Sequence, residues 1–224
     1  MRIYHGSVNI IEKPEYGKGK LHNDYGIGFY CTENIEMAKE WACNETQDGY
    51  ANTYEIDLTE MNVLNLNDNQ YNILHWLTLL IKNRDFRITN LIAKDAKQYL
   101  VEKFSVDTAP YDVIIGYRAD DSYFAFAEDF LNNAISVKKL AKAMRLGNLG
   151  EQVVLITPKA FQQLKFIEAV PAPSSVYFQL KVKRDTEARR AYLTSDRKPS
   201  YAAGELYMLD IMRQGVKDND PRLQ

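Results

Sequence analysis

Cysteine is scarce in this chain. Only Cys31 and Cys43 occur among 224 residues, too few for a disulfide framework, and both are read as reduced thiols. Histidine is scarce too. His5, His22 and His75 show no metal-ligand spacing with one another or with the cysteines, so no metal is expected. Neither sign of charge is in excess. Lys and Arg number 28 against 30 Asp and Glu, and with a net charge of −2 nothing argues for a bulk electrostatic grip on nucleic acid or a membrane. No apolar run reaches the roughly 18 residues of a transmembrane helix, because the longest, 73–81, is broken by His75 and Thr78. A basic segment followed by an apolar one is missing from the N-terminus, so no secretory signal is expected and the chain reads as cytoplasmic. Internal repeats and low-complexity tracts are absent as well.

The chain has the make-up of an ordinary globular protein. Its length allows one sizeable core plus an extension. The stretch that organises it is Tyr25-Gly26-Ile27-Gly28-Phe29-Tyr30-Cys31-Thr32, a glycine turn running into a short aromatic strand. Thr32 then reads as the N-cap of a helix over 33–43, with Ile35, Ala38, Trp41 and Ala42 on one face. An aromatic at the strand end and another eleven residues on, Tyr30 and Trp41, can form two walls of a slot. Tyr4-His5-Gly6-Ser7, at the end of a first strand over 2–5, supplies its floor.

The remaining pattern alternates strands and helices. Strands are expected over 53–58, 63–66, 111–116, 151–156 and 164–170, with residues 9–24 irregular around Pro14, Gly17 and Gly19. Helices over 70–82 and 90–104 interrupt the strands and read as an insertion over the core. Two more follow over 123–133 and 136–146, the second capped by Ser136, and Thr157-Pro158 opens a short one. Pro171-Ala172-Pro173-Ser174-Ser175 marks a boundary between a domain over 1–170 and a C-terminal helical extension over 171–224. In that extension Leu206, Leu209 and Met212 share a helical face.

The ordered set Tyr4-His5-Gly6-Ser7, Gly28-Phe29-Tyr30, Tyr54-Glu55-Ile56-Asp57-Leu58 and Gly150-Glu151-Gln152-Val153-Val154 resembles the NAD-binding core of the ADP-ribosyltransferases, in the branch of poly(ADP-ribose) polymerases and diphtheria toxin. More closely, the chain is similar to a bacterial family of unassigned domains grouped with those transferases, through the same start, the Gly-Phe-Tyr turn, Tyr117-Arg118-Ala119-Asp120-Asp121 and Leu149-Gly150-Glu151-Gln152. The resemblance implies an α+β fold with split, mostly antiparallel sheets around an NAD cleft and inserted helices. It also implies transfer of ADP-ribose from NAD to a protein or nucleic-acid acceptor, by a toxin-like enzyme with a small antitoxin protein as partner.

Residue by residue, the resemblance makes Glu151, His5 and Tyr30 the catalytic set. NAD would be held by His5, Gly6, Ser7, Tyr30, Trp41 and Gln152. Breaking the nicotinamide bond builds positive charge on the ribose, which a carboxylate on the 2′-hydroxyl stabilises. Strand alternation lets only one of Glu151 and Gln152 enter the slot, and Glu151 is favoured. His5 would hold the adenosine ribose, Gly6 would offer backbone to the nicotinamide amide, and Tyr30 and Trp41 would stack on the ring. Asp120 and Asp121 are secondary candidates, as paired carboxylates that could bind a metal or act as acid and base, set against the plainer reading of a helix N-cap ahead of Tyr123. Cys31 has no histidine arranged to activate it as a nucleophile. A catalytically inactive NAD-binding module and an NAD glycohydrolase are the alternatives.

Overall fold

The computed structural model describes residues 1–86, 88, 90–119, 121–146, 149–194 and 204–223. The order is β1 (Arg2–Ser7), β2 (Phe29–Cys31), α1 (Ile35–Ala42), β3 (Gly49–Glu55), β4 (Val63–Asn65), α2 (Ile73–Asn83), α3 (Leu91–Lys103), β5 (Val113–Tyr117), α4 (Asp121–Leu131), α5 (Val137–Ala143), β6 (Glu151–Leu155), α6 (Pro158–Gln162), β7 (Lys165–Ala172), α7 (Ser174–Thr194) and α8 (Met208–Gln214). The strands form two sheets in a mixed α+β arrangement. One is antiparallel in the order β1-β3-β7; the other runs β2-β6-β5-β4, antiparallel except for the parallel pair β4 and β5.

Period-two alternation gives the second sheet two apolar faces. Phe29, Cys31, Val113, Val153 and Leu155 pack with Ile3 and Tyr54 of the first sheet. Leu64, Ile114 and Val154, on the opposite face, pack against α2 to α5. The helices over 73–83 and 91–103 are therefore not an insertion over a finished core. Leu74, Trp76, Leu77, Leu80, Ile81 and Leu100 are that core. A helix apolar nearly all round, as α2 is, has to be buried.

The short helix behind the slot is capped by Asn34, not Thr32. Asn34 Oδ1 accepts from the N–H groups of Glu36 and Met37, while Thr32 stays in extended pairing, exchanging both backbone bonds with Tyr4. The first sheet also reaches further than expected. β3 begins at Gly49 because residues 50–52 pair with both β1 and β7 and Gly49 pairs with Ala172 of β7.

No linker follows residue 170. β7 continues through Pro171, opposite Tyr50, to Ala172, and α7 opens two residues later. Proline is tolerated there because β7 is an edge strand. Residues 171–224 are not a separate extension either: Tyr192, Leu206, Met208, Ile211, Val216 and Leu223 are buried in the main core cluster. The buried side of α8 is Met208 and Ile211, not Leu209 and Met212, which are half-buried. The shift arises because Tyr207 is the N-cap, its N–H donating to Asp210, so Leu206 precedes the helix and sets no helical face.

Candidate functional site

A cleft of about 910 Å³ opens where β1, β2, α1 and β6 meet, with the 8–28 loop along its rim. His5, Gly6, Ser7, Phe29, Tyr30, Trp41 and Gln152 line it, joined by Asp24, Arg84 and Arg118. A concavity of this size suits a cofactor-sized ligand.

His5 is fixed on two sides. Its Nδ1 lies 2.7 Å from the Tyr30 carbonyl oxygen, and its ring stacks on Phe29 at 4.3 Å. A carbonyl only accepts, so Nδ1–H donates and Nε2 of the neutral ring is the acceptor. Burial lowers the pKa and keeps the imidazole neutral. Nε2 has no hydrogen-bond partner among the described residues. Gly6 has a structural reason to lack a side chain. A Cβ there would lie 2.2 Å from the Ala38 carbonyl oxygen and 2.8 Å from the Ala42 nitrogen, so α1 could not rest on β1. Ser7 Oγ accepts from Asn9 N–H at 3.1 Å. Buried Asn52 ties down the loop that leaves β1, donating to Asn9 O at 3.1 Å and accepting from Ile11 N–H at 2.9 Å.

The aromatic walls differ from a bare slot. Tyr30 commits its hydroxyl to the glycine turn, donating to Gly26 O at 2.6 Å and accepting from Tyr25 N–H at 3.0 Å, so the ring face is what it offers the cleft. Gly26 makes that turn possible with φ +79°. Trp41 is covered by cations. The Arg118 guanidinium lies 4.5 Å from its ring centroid and the Lys181 ammonium 4.3 Å, as expected for the electron-rich face of an indole. A flat ligand stacking on Trp41 would exchange places with one of them. The Trp41 Nε1 donor is buried without a hydrogen-bond partner. A buried unpaired donor costs about 1–3 kcal/mol, which an acceptor on a ligand would relieve.

The third stretch corrects the choice between Glu151 and Gln152. Tyr30 stands opposite Val154 in the β2–β6 ladder, so Tyr30, Val154 and Gln152 share a face, and Glu151 falls on the other. Glu151 is exposed and accepts from Asn67 Nδ2 at 2.9 Å. Gln152 is buried in the cleft wall and donates to Asp24 Oδ2 at 2.7 Å. Favouring Glu151 followed from its carboxylate; which face it occupies is set by the register with β2.

Asp24, Arg84 and Arg118 are among the cleft residues that the sequence did not mark as candidates. Arg118 did carry a signal, standing inside the Tyr-Arg-Ala-Asp-Asp motif. Asp24 and Arg84 carried none, being 60 residues apart and joined only by folding, with Arg84 Nε 2.9 Å from Asp24 Oδ1. Asp120 lies outside the described residues, and Asp121 is the first residue of α4. Cys31 is buried between the sheets, where burial pushes its thiol well up, so it offers no thiolate nucleophile. Cys43 is a free thiol as well. Among the described residues no cluster of three or more His, Cys, Asp or Glu is placed to hold a metal ion. No described helix is long and apolar enough to cross a membrane.

A family model described as a protein of unknown function (DUF3990) matches residues 1–166. The chain belongs to the DUF3990 family. No curated protein and no solved structure matches it. The DUF3990 match takes in every cleft residue named above and stops inside β7. Lys181, which lies against Trp41 from α7, is outside it.

Proposed function

We propose that the cleft binds NAD and that the protein transfers its ADP-ribose to a protein or nucleic-acid acceptor. The reading rests on one observation. His5, Gly6, Ser7, Tyr30, Trp41 and Gln152 stand in distant stretches that resemble an NAD-binding core, and they line a single cleft. Each has a role its chemistry suits. The neutral His5 ring offers Nε2 to a ribose hydroxyl, and the Tyr30 face and Trp41 indole offer π surfaces to a flat cationic ring. Lys13, Lys20 and Arg118, also in the lining, suit a pyrophosphate. Cleavage of the nicotinamide bond develops positive charge on the ribose, and a polar acceptor on the Tyr30 face of β6 would stabilise it. A small antitoxin protein as partner remains part of the proposal by resemblance.

One observation favours a second reading, NAD binding without transfer: the carboxylate of Glu151 points away from the cleft and a neutral glutamine stands in it. Incubation with labelled NAD and a cell lysate separates the two. Transfer predicts nicotinamide release with label on protein or nucleic acid. Free ADP-ribose alone indicates hydrolysis. NAD bound with no nicotinamide released leaves the binding module.

A further inference from the structure

The geometry points to Asp24 as a positioning residue that acts through Gln152, an inference resting on the NAD reading above. The Asp24 side chain is 5% exposed, and its carboxylate joins three parts of the chain. Oδ1 accepts from Arg84 Nε at 2.9 Å; Oδ2 accepts from the Ala119 N–H at 3.1 Å and from Gln152 Nε2 at 2.7 Å. A carboxylate paired with arginine only accepts, so the Gln152 amide has to turn its NH2 group toward it. The two ends of a glutamine amide are alike in shape, and here the partner's chemistry decides which is which.

The consequence is that Oε1 is the end of Gln152 left for a ligand. It has no partner among the described residues, and Gln152 lines the cleft together with His5, whose Nε2 is also an acceptor. Two fixed acceptors lining one cleft select a ligand presenting hydroxyl donors, as a ribose does. The Asp24 charge stands one hydrogen bond behind the amide and polarises Oε1 toward negative. Asp24 and Gln152 together thus present a partly negative oxygen where a ribose gains positive charge, on the strand face that Glu151 does not reach.

The test compares Asp24→Asn with the transposed pair Asp24→Asn/Gln152→Glu. Both keep an acceptor oxygen toward Arg84 and lose the Ala119 bond equally. In the single variant the NH2 group introduced at position 24 draws the Gln152 oxygen inward and leaves an NH2 facing the cleft. In the double variant that introduced NH2 group donates to the new carboxylate at position 152, whose other oxygen faces the cleft. Nicotinamide release is expected to fall about tenfold or more in the single variant and to return to within about threefold of wild type in the double. If wild type releases no nicotinamide, the same order is read in NAD affinity by calorimetry. A single variant equal to wild type, or a folded double variant no better than the single, overturns the role of Asp24. A wild-type protein that binds no NAD overturns the NAD reading and this inference with it. Should Asp24→Asn not fold, Gln152→Glu alone serves. Its carboxylate would face Asp24 at hydrogen-bond distance, where both cannot ionise together, so the pH profile of release or binding gains a transition absent from wild type. An unchanged profile overturns the proposal.

Discussion

At the scale of single residues, the cleft sorts its side chains by what each has left over after its own hydrogen bonds are made. Tyr30 has spent its hydroxyl, His5 its Nδ1 and Gln152 its NH2 group, so a ring face and two acceptors remain. Trp41 has a ring face covered by Arg118 and Lys181 and an unpaired Nε1 donor. Trp41→Ala is expected to weaken NAD binding by about 1–3 kcal/mol, through lost stacking and apolar contact, and Trp41→Tyr to keep most of it. Equal affinity in a folded Trp41→Ala protein, measured by calorimetry, would leave Trp41 a packing residue only. For the neighbouring pair on β6 the expectation follows the strand face. Glu151→Gln should leave nicotinamide release within a few-fold, because its carboxylate meets Asn67 and not the cleft. Gln152→Ala should lower release about tenfold or more, and the reverse result would place the reacting ribose on the other face of β6.

At the scale of elements, α1 carries Trp41 to the cleft and α7 holds α1 in place. Glu40 of α1 is buried and pairs with Arg184 of α7, and Lys39 reaches Tyr177 at 3.2 Å. Burial raises the Glu40 carboxyl above its ordinary range, while Arg184 pulls it back down. Removing one partner leaves the other charge poorly compensated. Glu40→Ala is expected to cost about 2 kcal/mol, since Arg184 keeps some solvent contact, and to lower the melting temperature by about 4–8 °C. A melting curve unchanged from wild type would mean that α7 is held by its apolar contacts alone. The pair also couples the site to the tail, because Lys181 lies on the same helix and rests against Trp41.

At the scale of the whole molecule, the core does not stop where the family match does. Residues 192–223 contribute Tyr192, Leu206, Met208, Ile211, Val216 and Leu223 to the cluster that α2 to α5 build. Deleting residues 174–224 should therefore yield an insoluble protein or one melting far lower. A truncated protein as stable as wild type would contradict this account of the core. Acid should weaken the fold through His75. Its Nδ1 accepts the Asn72 N–H at 3.1 Å in the capping box of α2, which only the neutral ring can do, and burial lowers its pKa although Asp218 opposes the shift. A group whose folded pKa lies below its unfolded value gives its full stabilisation above the unfolded value, about 6.5, and loses it as pH falls through the folded one. Thermal melts should drop between pH 7 and pH 5, and His75→Gln should reduce that slope, since glutamine keeps a capping acceptor without titrating. An identical slope in the variant would assign the pH dependence elsewhere, to His5 first.

Much of this protein is local in origin, and that part was determined by the sequence alone. Hydrophobic spacing marked α2 and α3; Ser136 and Thr157 were legible as the caps that open α5 and α6; and the apolar run 111–116 marked the strand observed at 113–117. The stretches around His5, Tyr30, Trp41 and residues 151–152 were legible as a set only through their resemblance, in order, to an NAD-binding core. What the tertiary structure decided depends on partners far away in the chain. Register with β2, not residue type, put Gln152 and not Glu151 on the Tyr30 face. Pairing across 60 and 128 residues made Asp24 part of the cleft wall. Burial against α2 to α5 turned a tail that read as an extension into core. A side chain's type is written in its own position, but which face it shows and what it touches are set by long-range pairing, which no local pattern encodes.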